Sequence, residues 1–204
     1  VRVILQVNEI YNQAGTHDFV IHKAIEYLIF RLSDNFILSS SELSLLLPKK
    51  SIPFEEIPII SGPVVIPPDR DLKQSDNIDV VYAGVIDKEK VGGAFIAVEL
   101  AGYLNDPRFK IDIFGFGSDE SIVDLNKVIE NNNLNCRTKV CFLGEVCQDK
   151  LIKKLSAYDV GIATQYINTS FSASSFPSKI LTYLSAGLHV AAAVSKPIDS
   201  WPYK

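Results

Sequence analysis

The sequence predicts an α/β protein built on parallel sheet, and three observations predict it. Short runs rich in β-branched residues alternate with longer segments whose apolar residues recur at helical spacing, the pattern of strands covered by crossover helices. Most strand-like runs end in a glycine or small-residue loop, at Gly84, at Gly115 with Gly117, and at Gly144, as the carboxyl-end loops of an open parallel sheet do. The 204 residues, 47% hydrophobic and 22% charged, suffice for a sizeable core and fit neither a disordered nor a fibrous chain.

Val1–Val7 (VRVILQV) reads as the first strand and NEIYNQAGTH as the loop after it. Val20, Ile21, Ala24, Ile25, Leu28, Ile29 and Leu32 recur at three- and four-residue spacing, so a helix is expected over Asp18–Leu32, with Asp18 near its start. Asn35–Ser39 is the second strand. Ser40 or Ser41 can then cap a short helix that runs to Leu47. Glu56–Ile60 makes a third strand. Residues 61–77 (SGPVVIPPDRDLKQSDN) have the proline and charge content of a linker, which sets the domain boundary at residues 70/71.

The second domain, residues 71–204, alternates more strictly. Strands are expected at Asp79–Ala83, Lys110–Phe114, Lys139–Leu143, Asp159–Ala163 and His189–Ala193. Helices are expected at Ala94–Leu104, Glu120–Asn131, Gln148–Ala157 and Ser178–Ala186. Five strands in this order give a Rossmann-like domain.

The net charge of −4 argues against a nucleic-acid-binding surface. No apolar run approaches bilayer-spanning length and no signal-peptide pattern opens the chain, so a cytoplasmic protein is expected. The chain starts at Val1 and contains no methionine, which reads as a fragment or as a chain that has lost residues. Cys136, Cys141 and Cys147 lack the paired spacing of a zinc site, and their odd number does not suit a disulfide framework; three reduced structural thiols are expected. His17, His22 and His189 have no sequence partner that would make any of them a base. Asn8 and Glu9 follow the first strand at a carboxyl-end position, where a loop cap is the plainer reading. Ser170, Ser172, Ser174 and Ser175 form a loop that either orders over a ligand or lies on the surface.

The segment SFPSKILTYLSAGLHV, Ser175–Val190, carries the most information. Pro177 sits where a first helical residue belongs, because its missing N–H would have no partner there anyway. The helix so opened presents free N–H groups and the positive end of its dipole at a strand's carboxyl end. Lys179 in that first turn opposes the dipole, which an anion in front of it would reconcile. On physics alone, a diphosphate site and an ordinary capped helix with a solvated lysine stand equal.

In its ordered motifs the chain resembles the family 4 glycosyltransferases. VVYAGVID (Val80–Asp87) is similar to the first strand of that family's donor domain, and IDIFGFGS (Ile111–Ser118) to its strand and G-x-G turn. KVCFLGEV (Lys139–Val146) resembles its V-x-F-L-G strand, and LIKKLSAYDVGIAT (Leu151–Thr164) the helix and strand before the donor loop. SFPSKILTYLSAGLHV resembles the F-P-S-K-I-x-E-Y-x-A-x-G-x-P-V segment. IEYLIFRLSDNFILSSSEL (Ile25–Leu43) is similar to the end of the acceptor domain. The likeness runs from about Val1 to Ser200.

The resemblance implies a GT-B fold with an incomplete first domain, residues 1–70 being the remnant on the acceptor side and 71–204 the nucleotide-sugar-binding domain. It implies transfer of a sugar from a nucleotide donor to a glycan or lipid-linked acceptor in surface-polysaccharide assembly. Retained anomeric configuration, no metal and no cofactor beyond the nucleotide sugar as substrate go with it, as does peripheral association with the inner face of the membrane. By residue matching the diphosphate lies against Ser175, Phe176, Pro177, Ser178, Lys179 and Ile180. Gly115 and Gly117 let the nucleotide approach, Gly84 stands at the cleft mouth, and base and ribose pack near Gly144, Glu145 and Val146. No catalytic residue is assigned.

The chain departs from the pattern at four places. Ser174 and Thr182 stand where the family carries two glutamates, the second of which binds ribose, and a branch with A-T-Q and S-F-P-S-K-I-L-S-Y (here Ala163–Gln165 and Ser175–Tyr183) shares that change. Val85 and Val91 stand where basic residues are usual, with Lys88 or Lys90 as substitutes. Other readings remain: a non-catalytic donor-binding subunit, a sugar-nucleotide epimerase, or a nicotinamide dehydrogenase, for which GFGSDE (Gly115–Glu120) lacks the third glycine.

Overall fold

The computed structural model describes residues 2–7, 20–39, 41–47, 53–56, 76–88, 93–164 and 178–193. These residues divide between two compact units, 2–56 in the first and 76–164 with 178–193 in the second. The expected boundary at residues 70/71 lies outside the described residues, as do 165–177 and 194–204.

In the first unit, β1 (Ile4–Val7), β2 (Asn35–Leu38) and β3 (Phe54–Glu56) form a parallel sheet in that order, joined across β1 and β2 by helix α1 (Val20–Leu32). Ser41–Leu46 is a short 3-10 helix. Val7, Phe30, Phe36, Leu38, Leu43 and Leu47 make its core, and the rings of Phe30 and Phe36 meet edge to face at 6.0 Å. The third strand comes earlier than the expected Glu56–Ile60; residues 57–60 lie outside the described set. The helix forms where its apolar period predicts, yet Phe30 is its buried anchor, while Ile25, Leu28, Ile29 and Leu32 of the predicted stripe are exposed.

The second unit is a five-stranded parallel sheet in the order β6-β5-β4-β7-β8. Its strands are β4 (Ile78–Ile86), β5 (Phe109–Gly117), β6 (Lys139–Phe142), β7 (Val160–Ala163) and β8 (His189–Ala192), with helices α2 (Gly93–Leu104), α3 (Asp119–Asn135), α4 (Gln148–Leu155) and α5 (Lys179–Ser185) between them. Strands buried on both faces need near-continuous apolar sequence, and IDVVYAGVI and FKIDIFGFG supply it. Ala94, Ala97 and Ala101 give α2 a small-residue face, fully buried in the core that includes Val80, Tyr82, Ile111 and Ile113.

Local chemistry sets the helix ends. Asn105 closes α2 with a φ of 41°, a left-handed conformation that asparagine tolerates. Ser118 caps α3 by accepting the Ser121 N–H at 3.2 Å, and Asp119 and Glu120 complement the dipole in its first turn. That helix runs four residues past its expected end at Asn131. The extension is a tertiary effect: Asn132 donates to the Thr138 carbonyl at 3.1 Å. Asn133 both donates to the Val140 carbonyl at 2.8 Å and accepts the Val140 N–H at 2.9 Å. Its side-chain amide thereby serves the edge strand β6 as a neighbouring backbone would.

On the sheet's other face Asp112 is buried, its Oδ2 accepting from Lys110 Nζ at 3.0 Å and from the Tyr158 hydroxyl at 2.9 Å. The hydrogen bond to Asp112 holds the Lys110 ammonium above its ordinary pKa. Phe114 meets Tyr158 edge to face at 6.0 Å, with Lys154 Nζ 5.5 Å from the Phe114 ring.

One expectation needs correction. Gly84, Gly115 and Gly117 are not loop residues: they lie in the last three positions of paired strands, with Gly84 opposite Gly115 and Ile86 opposite Gly117. At Gly115 and Gly117 the two backbones approach too closely for side chains. A Cβ on Gly115 would strike the Gly84 carbonyl oxygen, and one on Gly117 the Ile86 carbonyl oxygen.

Candidate functional site

The strand order makes β4 the place where the winding of the sheet reverses: β5 and β6 lie on one side of it, β7 and β8 on the other. A reversal of this kind leaves a crevice at the carboxyl ends of the strands. There the unit carries a cleft of about 290 Å³, lined from β4 by Ala83 and Gly84 and from β5 by Phe114, Gly115 and Phe116. Glu145, Val146 and Cys147 follow from the β6–α4 loop, Gln148 and Leu151 from α4, and Lys179, Thr182 and Tyr183 from α5.

The two flanks of β4 are built differently. Toward β5 the ladder holds to the last residue of both strands. Gly115 N–H donates outward to the Gly144 carbonyl at 3.0 Å, and Gly144 adopts a φ of 77°, a conformation glycine reaches without strain. The loop holding Glu145 and Val146 is thereby tied to the end of β5.

Toward β7 the registered pairs end at Val81 and Gly161. Beyond them the Tyr183 hydroxyl bridges the strands, accepting the Ala83 N–H at 2.8 Å and donating to the Ile162 carbonyl at 3.2 Å. Its ring occupies the space a Cβ on Gly161 would take. Tyr183 is fully buried; burial pushes its phenol pKa well above the ordinary value, against the opposing effect of the Ala83 N–H.

Lys179 reaches across the end of β4. A Cβ on Gly84 would strike its Cε, and its Nζ stands 5.7 Å from the centre of the Tyr82 ring. Tyr82 is fully buried. Its hydroxyl donates to the Val85 carbonyl at 3.2 Å, and burial raises its pKa too. Gly93 abuts the ring so closely that a Cβ there would lie 2.7 Å from the hydroxyl oxygen, and the carbonyl of Gly93 accepts the Thr164 hydroxyl at 2.7 Å. Among the described residues lining the cleft, Lys179 is the cation and Glu145 the carboxylate.

Of the residues the sequence singles out, Gly84, Gly115, Glu145, Lys179 and Thr182 come together in this cleft. Gly117 instead ends the β4–β5 ladder. Ile180, next to Lys179 in sequence, is buried among the core residues, and Ser178 is the exposed turn residue whose carbonyl accepts the Leu181 N–H at 3.1 Å. Ser175, Phe176, Pro177 and Ser174 lie outside the described residues, as do Val91 and Lys90. Val85 is exposed at the end of β4. Sequence reasoning missed Tyr183, although its place four residues after Lys179 puts it on the same helix face. Phe116, Gln148 and Leu151 gave no comparable signal.

The three cysteines are unpaired, and Cys147 is exposed and lines the cleft. Among the described residues no group of three or more His, Cys, Asp or Glu side chains could hold a metal ion, and no helix is long and apolar enough to cross a membrane.

No protein-family model matches the chain, and no curated protein matches it in sequence. Solved structures do match. Anabaena HepE, in complex with UDP and glucose, aligns with a TM-score of 0.68 and 16% identity over 97% of this chain and 54% of its own. The pneumococcal O-GlcNAc transferase GtfA, in complex with UDP and GlcNAc, gives 0.60 and 16% over 95% of this chain and 38% of its own. The lipopolysaccharide outer core galactosyltransferase WaaB gives 0.54 and 17% over 87% and 48%. The chain thus spans about half the length of these proteins or less. At such identities the likeness shows the fold, which is the α/β, Rossmann-like parallel sheet of the GT-B glycosyltransferases.

Proposed function

We propose that this chain is the nucleotide-sugar-binding part of a glycosyltransferase that moves a sugar to a glycan or lipid-linked acceptor in surface-polysaccharide assembly. The observation that carries the reading is the cleft at the reversal of the sheet, where one lysine stands over Gly84. A diphosphate there meets the Lys179 ammonium above the end of β4, with the Gly115 backbone beside it. Lys179 supplies the charge that offsets the diphosphate, most strongly as it departs from the sugar, when its negative charge grows. The Glu145 carboxylate and the Thr182 hydroxyl take the ribose and base side, Thr182 without the charge assistance a glutamate would bring. UDP in the HepE and GtfA structures supports this choice of ligand, and the WaaB description supports the pathway class. The reading includes a retaining reaction without a metal, so activity of the full-length protein should survive a chelator.

The test is thermal unfolding with UDP, GDP and ADP and their sugar conjugates, because a ligand that binds only the native state must raise stability, by about 2.7 kcal/mol at a hundred times its Kd. One nucleotide series should raise the melting temperature; a chain unmoved by all of them would remove the reading. A second reading, a donor-binding subunit without its own catalysis, draws on Thr182 lining the cleft in place of a carboxylate. Transfer of labelled sugar by the full-length protein separates the two.

A further inference from the structure

The proposed donor site leaves two observations unused. The Lys179 stem runs where a Gly84 side chain would be, and its ammonium rests over a ring that is itself locked in place. A lysine side chain has four rotatable bonds and loses that freedom when it binds an anion. A lysine already confined binds more tightly, because less ordering remains to be done. Tyr82 is fully buried, held by its bond to the Val85 carbonyl and by the close approach of Gly93, so its ring face is a fixed surface. An ammonium above a tyrosine ring is attracted to it.

We infer that Gly84 and Tyr82 form a seat that aims Lys179 at the ligand, so that both are positioning residues acting through the lysine. This rests on the diphosphate reading above. It differs from the expectation that Gly84 simply makes room for the nucleotide: the room at Gly84 is for Lys179. In Gly84→Ala the new methyl displaces the Lys179 stem and the ammonium leaves the ring. In Tyr82→Leu the ring is lost, whereas Tyr82→Phe keeps it and should keep the seat.

Two measurements on the full chain test this. The first is calorimetric binding of UDP, GDP and ADP to wild type, Lys179→Ala, Gly84→Ala, Tyr82→Leu, Tyr82→Phe and the doubles with Lys179→Ala. Whichever nucleotide binds should lose roughly tenfold in affinity in Lys179→Ala, the size of one charge-assisted hydrogen bond. It should lose roughly threefold in Gly84→Ala and in Tyr82→Leu, the size of an exposed cation–π contact, and nothing in Tyr82→Phe. In the Lys179→Ala background neither Gly84→Ala nor Tyr82→Leu should lower affinity further; losses that add would overturn the seat while leaving the diphosphate reading intact.

The second measurement needs no ligand. The ring current of Tyr82 should shift the Lys179 Cε protons upfield in the NMR spectrum of the free protein. Tyr82→Leu and Gly84→Ala should abolish the shift and Tyr82→Phe should retain it. A Lys179 signal at the random-coil position in the wild type would overturn the seat, even for a chain that binds none of the three nucleotides.

Discussion

The two flanks of β4 solve one problem in opposite ways. Toward β5 the strands stay zipped to Ile86 and Gly117, and glycine at 115 and 117 leaves out side chains that would strike the β4 carbonyls. Toward β7 the ladder stops at Val81 and Gly161, and one tyrosine hydroxyl takes over the exposed backbone groups. Without that hydroxyl the β7 flank would hold buried N–H and C=O groups that lack partners. The cleft therefore depends on backbone complementarity on one flank and on a single side chain on the other.

The largest effect should come from breaking the closed flank. In Gly115→Ala the added methyl meets the Gly84 carbonyl oxygen, which is backbone and has nowhere to go. Strain of this kind belongs among the severe classes of substitution, so a loss of about 3 kcal/mol or more is expected in chemical denaturation. A Gly115→Ala protein as stable as wild type would show that β4 and β5 are not zipped at their ends.

Breaking the open flank should be milder. Tyr183→Phe keeps the ring against Gly161 but leaves the Ala83 N–H and the Ile162 carbonyl without the hydroxyl. Stability should fall by about 1–3 kcal/mol, the cost of buried polar groups losing a partner. The amide of Ala83 should also exchange faster with solvent than its neighbours in β4. Unchanged exchange at Ala83 would mean that the strands re-pair directly when the hydroxyl is removed.

The same flank predicts an alkaline weakness. Burial raises the pKa of Tyr183 and of Tyr82 in the folded protein, so the folded state keeps protons that the unfolded state releases. Their contribution is fully present below the unfolded value of about 10 and is lost as pH rises above it. Stability should therefore decline above pH ~10 by up to roughly 1.4 kcal/mol per pH unit for each tyrosine. In Tyr183→Phe that slope should be shallower by one tyrosine's share.

Much of this was legible in the sequence, and the rest was hidden for identifiable reasons. Periodicity located every strand and helix of the second unit because each is long or strongly patterned, as with VVYAGVI and AFIAVELAGYL. The end of α3 was not legible, since Asn132 and Asn133 extend it through bonds to residues of the next loop and strand. The glycines were read as loop residues because G-x-G suggests a turn, whereas the parallel register sets Gly84 against Gly115 inside the strands. Tyr183 carries no local mark of its role. Its bridge depends on where the β4–β7 ladder stops, and no local pattern encodes that.

The smallest expected effect on stability is also the one that separates the walls of the cleft from its contents. Lys179 is only partly buried, and neither flank's backbone pairing passes through it. Lys179→Ala should therefore change unfolding stability by about 0.5 kcal/mol or less, as surface substitutions do, while lowering nucleoside diphosphate affinity. Tyr183→Phe should do the reverse in degree, weakening the fold first and binding only through the altered cleft. If Lys179→Ala instead unfolded the protein as readily as Gly115→Ala, the lysine would be part of the wall, and the division between a built cleft and the charge seated in it would fail.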